Sequence, residues 1–132
     1  MDPWSTIAQA RFVSLTTYRR NGDPVSTPVW IAPEGDALVV TSEASTGKVR
    51  RLRHDQRVRL RPCDRFGKVA EGAVTVDARA VIAGSDRALP EATAALRRKY
   101  GVQVALVLGF ERLVRRVQRK PGDRVILRVT RG

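Results

Sequence analysis

The chain has 132 residues, 42% hydrophobic and 29% charged, enough for one folded domain with its own core and too short for two ordinary ones. With 25 Lys and Arg against 13 Asp and Glu the net charge is +12, so anionic partners are favoured. One cysteine, Cys63, excludes an internal disulfide framework and a cysteine-based zinc site, and the lack of a leader pattern or bilayer-length apolar run predicts a cytoplasmic protein with no membrane partner.

In chain order, Thr6 to Ala10 is a short helical candidate opened by Ser5 or Thr6, and the β-branched, alternating run Phe12 to Tyr18 predicts a strand. Asn21-Gly22 marks a turn, Val25 to Ala32 a second strand, Pro33-Glu34-Gly35-Asp36 another turn and Ala37 to Thr41 a third strand. Short polar connections predict that these three strands form an antiparallel meander. A basic helix from Thr46 to His54, with Val49 and Leu52 on one side, leads to Arg57-Val58-Arg59-Leu60-Arg61, whose alternation turns Val58 and Leu60 inward and three arginines outward. After a turn at Asp64 to Lys68, Gly72 to Ala83 predicts a long strand with Val74, Val76, Ala78, Ala80 and Ile82 on one face. Gly84-Ser85-Asp86 breaks the pattern before a helix from Leu89 to Tyr100 closed by Gly101, a partly helical stretch from Val102 to Val117, and a turn at Pro121-Gly122-Asp123. Arg124 to Thr130 is the last strand, with Val125, Leu127 and Val129 inward. Closing such a sheet on itself removes its edges, so the expected fold is a small antiparallel β-barrel with peripheral helices.

The densest chemical signal is Thr41-Ser42-Glu43-Ala44-Ser45-Thr46-Gly47-Lys48-Val49-Arg50-Arg51, where a strand ends in hydroxyl residues and a glycine and then opens a basic helix. Hydroxyls and backbone N–H groups at a helix N-terminus accept phosphate, and Lys48 and Arg51, three apart, share a helix face. The segment reads as the phosphate grip of a bound cofactor.

Three stretches carry a family resemblance: Pro24-Val25-Ser26-Thr27-Pro28-Val29-Trp30, Thr41 to Lys48, and Leu52 with Asp55-Gln56-Arg57-Val58. Together with the order of elements they resemble the pyridoxamine 5′-phosphate oxidase-like split β-barrel superfamily over Phe12 to Thr130. The pattern is most similar to small actinobacterial proteins that use coenzyme F420, an 8-hydroxy-5-deazaflavin, rather than FMN. The resemblance implies a mainly β split barrel of the FMN-binding type, a homodimer with the cofactor at the subunit interface, and hydride transfer between reduced F420 and a small organic substrate. It implies that Lys48 and Arg51 meet the phosphate, helped by Thr41, Ser42, Ser45 and Thr46, and that Pro28, Val29 and Trp30 lie along the ring. No catalytic side chain and no metal are implied. Two departures stand out: Gly47 occupies a position that is basic in the FMN-binding branch, which favours the deazaflavin, and Asp55-Gln56 stands where Asn-Pro is usual.

Each of these residues also has a plainer reading. Lys48 alone would be one more exposed helix cation, and Arg50 or Arg53 could serve in place of Arg51. Arg57, Arg59 and Arg61 read as a solvated barrel face or as an attractor for the cofactor's acidic oligoglutamate tail, Trp30 as core or as cofactor wall, and Cys63 and His54 as structural. Two other functions fit the composition: a carrier that binds the deazaflavin without turnover, and a nucleic-acid-binding domain. The second is disfavoured, since five aromatics beyond two tryptophans make a poor stacking platform.

Overall fold

The computed structural model describes residues 2–43, 46–83, 94–101 and 124–131. Helix α1 (Pro3–Gln9) is followed by β1 (Phe12–Tyr18), β2 (Pro24–Val29), β3 (Ala32–Glu34) and β4 (Ala37–Glu43). Helix α2 (Gly47–His54), β5 (Arg57–Cys63), β6 (Val76–Ala83), a helical stretch at 94–100 (α3) and β7 (Arg124–Thr130) complete the described elements. The expected antiparallel, mainly β architecture with peripheral helices is what the chain adopts. Helix α1 starts earlier than the sequence suggests, because Asp2 rather than Ser5 or Thr6 caps it, its carboxylate accepting from Ser5 N at 2.8 Å.

All seven strands form one antiparallel sheet in the order β2-β1-β5-β6-β7-β4-β3. This corrects the predicted meander. The expected second strand is interrupted at Trp30 and Ile31, so β2 pairs only with β1 and β3 only with β4, at opposite edges of the sheet. Yet Val29 and Ala32 are three Cα steps apart, at most about 11 Å. A seven-stranded sheet whose two edges lie that close must curl almost into a ring, leaving one split between β2 and β3. The ladder gives Ile31 no partner there, and side chains of α3 supply one: Tyr100 Oη accepts from Ile31 N at 3.2 Å and Lys99 Nζ donates to Ile31 O at 2.6 Å.

Alternation sorts the side chains. Val13, Leu15, Leu38, Val40, Val58, Leu60, Ala78, Ala80, Leu127 and Val129 fill the inside, joined by Trp4 and Ile7 of α1 and by Val49 and Leu52 of α2. Burying each large aliphatic side chain here contributes about 1.5–3 kcal/mol. The outside differs between halves. On β3, β4 and β7 a second cluster of Ala32, Val39 and Ile126 is covered by Ala95 and Leu96 of α3, so Ile126 is buried on the face opposite Leu127. On β2, β1, β5 and β6 the outer face is polar: Thr16 and Ser26 hydroxyls lie 2.6 Å apart, and Arg59 and Arg61 stand beside them.

Strand β6 begins at Val76 rather than Gly72; Gly72 sits at φ +76° in a turn, a region that costs a side chain little only when there is none. The inward set Val76, Ala78, Ala80 and Ile82 keeps its alternation. The expected breaks at 84–86 and 121–123 and the ambiguous stretch 102–117 lie outside the described residues.

Candidate functional site

Strand β4 delivers Ser42 to the inner face, 4% exposed, and α2 opens four residues later on Thr46 in extended geometry. Thr46 makes no side-chain cap to its own helix; its hydroxyl lies 3.0 Å from Ser42 Oγ, and no acidic residue occupies the first turn. The helix therefore begins with two hydroxyls side by side. Val49 and Leu52, buried in the barrel, fix the rotation of α2 so that Lys48, half-buried, and Arg51 lie on its flank.

Arg51 is the most informative side chain here. Its Nε donates to Thr17 Oγ1 at 2.5 Å, and Thr17 is itself fully buried at the end of the inward set Val13, Leu15, Thr17. The guanidinium lies across the first turn of α2, so close to Gly47 that a Cβ there would sit 2.7 Å from Nη1. Gly47 thus does more than leave space: its missing side chain lets Arg51 fold back to the start of the helix. Burial, followed by the neighbouring charges of Arg19 and Arg50, pushes the Arg51 pKa below its ordinary value. Arg51 forms no carboxylate pair among the described residues. A cation held by one hydroxyl and crowded by like charges favours an anion beside it, and four of its five N–H donors are not committed to Thr17.

The sequence-predicted residues divide as follows. Ser42, Thr46, Lys48 and Arg51 gather at the start of α2. Thr41, adjacent to Ser42 in a strand, faces the other side of the sheet, opposite Ile126, so the structure does not bring it to the Ser42 hydroxyl. Ser45 lies outside the described residues. Pro28 is exposed on the outer face, pairing with Ser14, while Val29 points inward against the core. Trp30 stacks on Tyr100 with ring centroids 5.1 Å apart and planes at 17°, so one face of its indole is already taken. The pairing of Pro28 with Ser14 and the bond of Arg51 to Thr17 put the Pro28–Trp30 segment and the cradle toward different ends of β1, roughly 10 Å apart along the strand.

The arginine stripe on β5 is partly neutralised. Arg57 Nη2 is 2.8 Å from Asp55, whose carboxyl these bonds hold down at about 2, and Arg59 Nε is 2.8 Å from Asp77 on the adjacent strand. Arg61 keeps a buried Nε that has no hydrogen-bond partner among the described residues. Burial and then the Asp64 charge push the Cys63 thiol pKa up, which suits an inert strand-end residue. Sequence reasoning missed Thr17, whose signal was a hydroxyl at the third inward position of β1, and Arg19, which follows the strand on the turn above α2.

Among the described residues no three His, Cys, Asp or Glu side chains gather to hold a metal, and no helix is long and apolar enough to cross a membrane.

Comparison with known proteins agrees with this architecture. The haem storage protein HutZ of Vibrio cholerae superposes with a TM-score of 0.67 at 15% identity, covering 96% of this chain and 85% of that one. An F420 reductase superposes at 0.55 with 16% identity over 98% and 94% of the two chains. A haem-binding protein of Mycobacterium smegmatis superposes at 0.61 with 20% identity over 96% of this chain and 48% of the other. At such identities the likeness establishes the fold alone. No curated protein matches by sequence. Residues 5–131, however, match the family described as pyridoxamine 5′-phosphate oxidase, which takes in the sheet and α2 alike: the chain belongs to that family.

Proposed function

We propose that residues 1–132 form one cofactor-binding domain of a cytoplasmic oxidoreductase, which holds coenzyme F420 by its phosphate at the start of α2 and acts on a small organic substrate. The observation that carries this reading is Arg51, a half-buried cation with no carboxylate partner among the described residues, folded over Gly47 beside the Ser42–Thr46 hydroxyl pair. A phosphate ester fits that donor set: it accepts from a guanidinium and an ammonium and from hydroxyls and helix N–H groups. Lys48, Arg51, Ser42 and Thr46 would hold it.

When bound, a deazaflavin supplies a ring carbon that gives or takes hydride, so the demanding chemistry is the cofactor's. What remains for this chain is to bind, orient and shield. Arg51 fixes the anion's position because Thr17, buried in the sheet, fixes Arg51. Homodimerisation, with the ring at the subunit interface, gives the polar outer face of β2, β1 and β5 a partner.

FMN is the second reading, because its phosphate presents the same chemistry and the family is described by a flavin-class oxidase. Gly47 tips the balance toward F420, since a position that is basic in the FMN-binding branch carries no side chain here, which removes one phosphate contact and leaves space for a bulkier tail. A haem reading, prompted by two structural neighbours, meets a single histidine, His54, exposed at the far end of α2. A non-catalytic carrier differs from an enzyme only in turnover.

The test is a fluorescence titration of the protein with F420 and with FMN. F420 should bind more tightly than FMN, and Lys48→Ala should weaken binding about 10- to 100-fold, the cost of one charge-assisted contact. Affinity weaker than about 100 μM, or none lost in the variant, would abandon the reading. Oxidation of bound reduced F420 by enones or quinones would separate enzyme from carrier.

A further inference from the structure

The segments that meet at the split also wall a cleft that the phosphate cradle does not use. Ala8 and Gln9 at the end of α1, Pro33 on β3, and Ala95, Arg98 and Lys99 on α3 line an open space of about 390 Å³. Ala10 O and Ile31 O, the two carbonyls that receive the Lys99 amine at 2.6 Å, directly follow the first of these walls and precede the second in sequence. No carboxylate lines the cleft among the described residues, and the exposed Arg98 forms no ion pair among them.

An amine with two carbonyl acceptors has an ordinary reading as a tie between α3 and the split. The count of its protons shows what else it can do. An ammonium carries three N–H groups, and beyond the two carbonyls only the face of the Tyr100 ring, 5.0 Å to its centroid, is placed to receive the third. A neutral amine has two N–H groups, matching the two carbonyls, and a lone pair turned away from both. Burial draws the Lys99 pKa down to about 8 from an ordinary 10.5, so about a tenth of the amine is neutral at pH 7. Nothing charged nearby holds the proton on: Arg98 and Arg11 are cations, Tyr100 is kept neutral by its own burial, and Glu34 of β3 is paired with Arg128.

We propose that this cleft is a carbonyl-capture site, in which Lys99 Nζ forms an imine with a small aldehyde whose carboxylate pairs with Arg98. The lone pair of Nζ forms a C–N bond to the carbonyl carbon, and the carbonyl oxygen leaves as water with one proton from the nitrogen and one from solvent. The iminium product keeps the positive charge and a single N–H. That one N–H is enough for Ala10 O, because Ile31 O has a second donor: Tyr100 Oη lies 3.0 Å from it. The same hydroxyl is 2.8 Å from Arg11 O, which is exposed and can take water in its place. Lys99 can thus give up one carbonyl without orphaning it. The site uses no residue of the cradle and does not depend on which cofactor the cradle holds.

Treatment of the full chain with glyoxylate and cyanoborohydride, followed by digestion and mass spectrometry, tests it. Reduction of the iminium leaves a carboxymethyl group on the amine that reacted. At pH 7 Lys99 should be labelled about tenfold or more faster than the exposed Lys68, and this ratio should fall toward unity as pH approaches 10.5, where amines in water deprotonate as well. Arg98→Ser, a change of an exposed side chain, should keep the parent melting temperature, slow labelling by glyoxylate about tenfold and leave labelling by propanal unchanged. Lys99 labelled no faster than Lys68, or only after unfolding in urea, would overturn the proposal and leave the amine as a tie alone. An Arg98→Ser variant that reacts with glyoxylate as fast as the parent, or that slows equally with both aldehydes, would overturn it too, since the carboxylate would then have no partner in the cleft.

Discussion

Two half-buried cations in this barrel look alike by charge and differ in the acceptors that answer them. Lys99, on α3, donates to Ala10 O and Ile31 O, each at 2.6 Å, and lies over the Tyr100 ring at 5.0 Å. Arg51, on α2, donates to one hydroxyl and has Arg19 and Arg50 for neighbours. Burial lowers the pKa of both. The difference lies in the acceptors. Lys99 is answered by backbone carbonyls that the fold itself leaves unpaired, in the α1–β1 linker and in the break between β2 and β3. Arg51 is answered by a single hydroxyl, which leaves most of its donors for a ligand. A cation saturated by main chain serves as a structural clamp; a cation held in place but left unsaturated has donors to offer a ligand.

The sharpest way to break that contrast is to remove each cation in turn. Lys99→Met strips Ala10 O of its donor and unties three segments at once, so it should cost about 2 kcal/mol, a drop of roughly 6–10 °C in melting temperature, with anion affinity unchanged. Should Lys99→Met instead spare stability and weaken phosphate binding, the two roles have been assigned the wrong way round. Arg51→Ala should do the reverse. It removes repulsion with Arg19 and Arg50, so stability should stay within about 0.5 kcal/mol, while affinity for inorganic phosphate or a cofactor phosphate falls about tenfold or more. Denaturant melts and titrations on the same preparations read both quantities.

That contrast was only half legible in the sequence. The helix-start cradle could be read because its parts are contiguous: hydroxyls, a glycine and two cations within a dozen residues. Thr17 could not, because it reaches Arg51 across 34 positions of sequence, and a threonine ending a β-branched strand carries no local mark of function. The barrel class was legible from alternation and turn residues. Its topology was not, and the reason is specific. Val25, Thr27, Val29 and Ile31 continue the period-two pattern without interruption through Trp30, so nothing nearby announces that the strand ends and the chain crosses to the other edge of the sheet. What fixes the break is ring closure together with Tyr100 and Lys99, 69 and 68 residues away. Thr41 makes a simpler point: in the sequence a run of hydroxyl residues reads as one cluster, whereas a strand sends neighbours to opposite faces, Ser42 inward and Thr41 outward.

The pH dependence of stability sharpens the clamp. Burial draws the Lys99 amine down to about 8 from an ordinary 10.5. Below about 8 the group is protonated in both the folded and unfolded chain, and the burial penalty is constant. Between about 8 and 10.5 the unfolded chain binds more protons, so the Lys99 contribution to stability rises with pH across that window. The stability difference between parent and Lys99→Met should therefore widen from pH 7.5 to pH 10 in urea melts; a difference that stays flat or narrows would show that the two carbonyls hold the proton on against desolvation.

The smallest expected effect tests how Arg51 is aimed. Gly47→Ala adds one methyl group at the first position of α2, where helix propensity gains little because the residue's N–H has no intrahelical partner in any case. Its Cβ would meet Arg51 Nη1 at 2.7 Å, and a flexible guanidinium can retreat from that contact without disturbing the backbone. Stability should thus be almost unchanged. The retreat swings the guanidinium away from the helix start and its Ser42–Thr46 hydroxyl pair, and phosphate affinity should fall about threefold, less than for Arg51→Ala. An Arg51→Lys change separates position from charge: lysine cannot make the Nε contact to Thr17 while reaching back over Gly47, so adding Gly47→Ala to it should cost nothing further. If the two substitutions lose affinity additively, Gly47 contributes through the backbone of the helix start and not through the path it clears for Arg51.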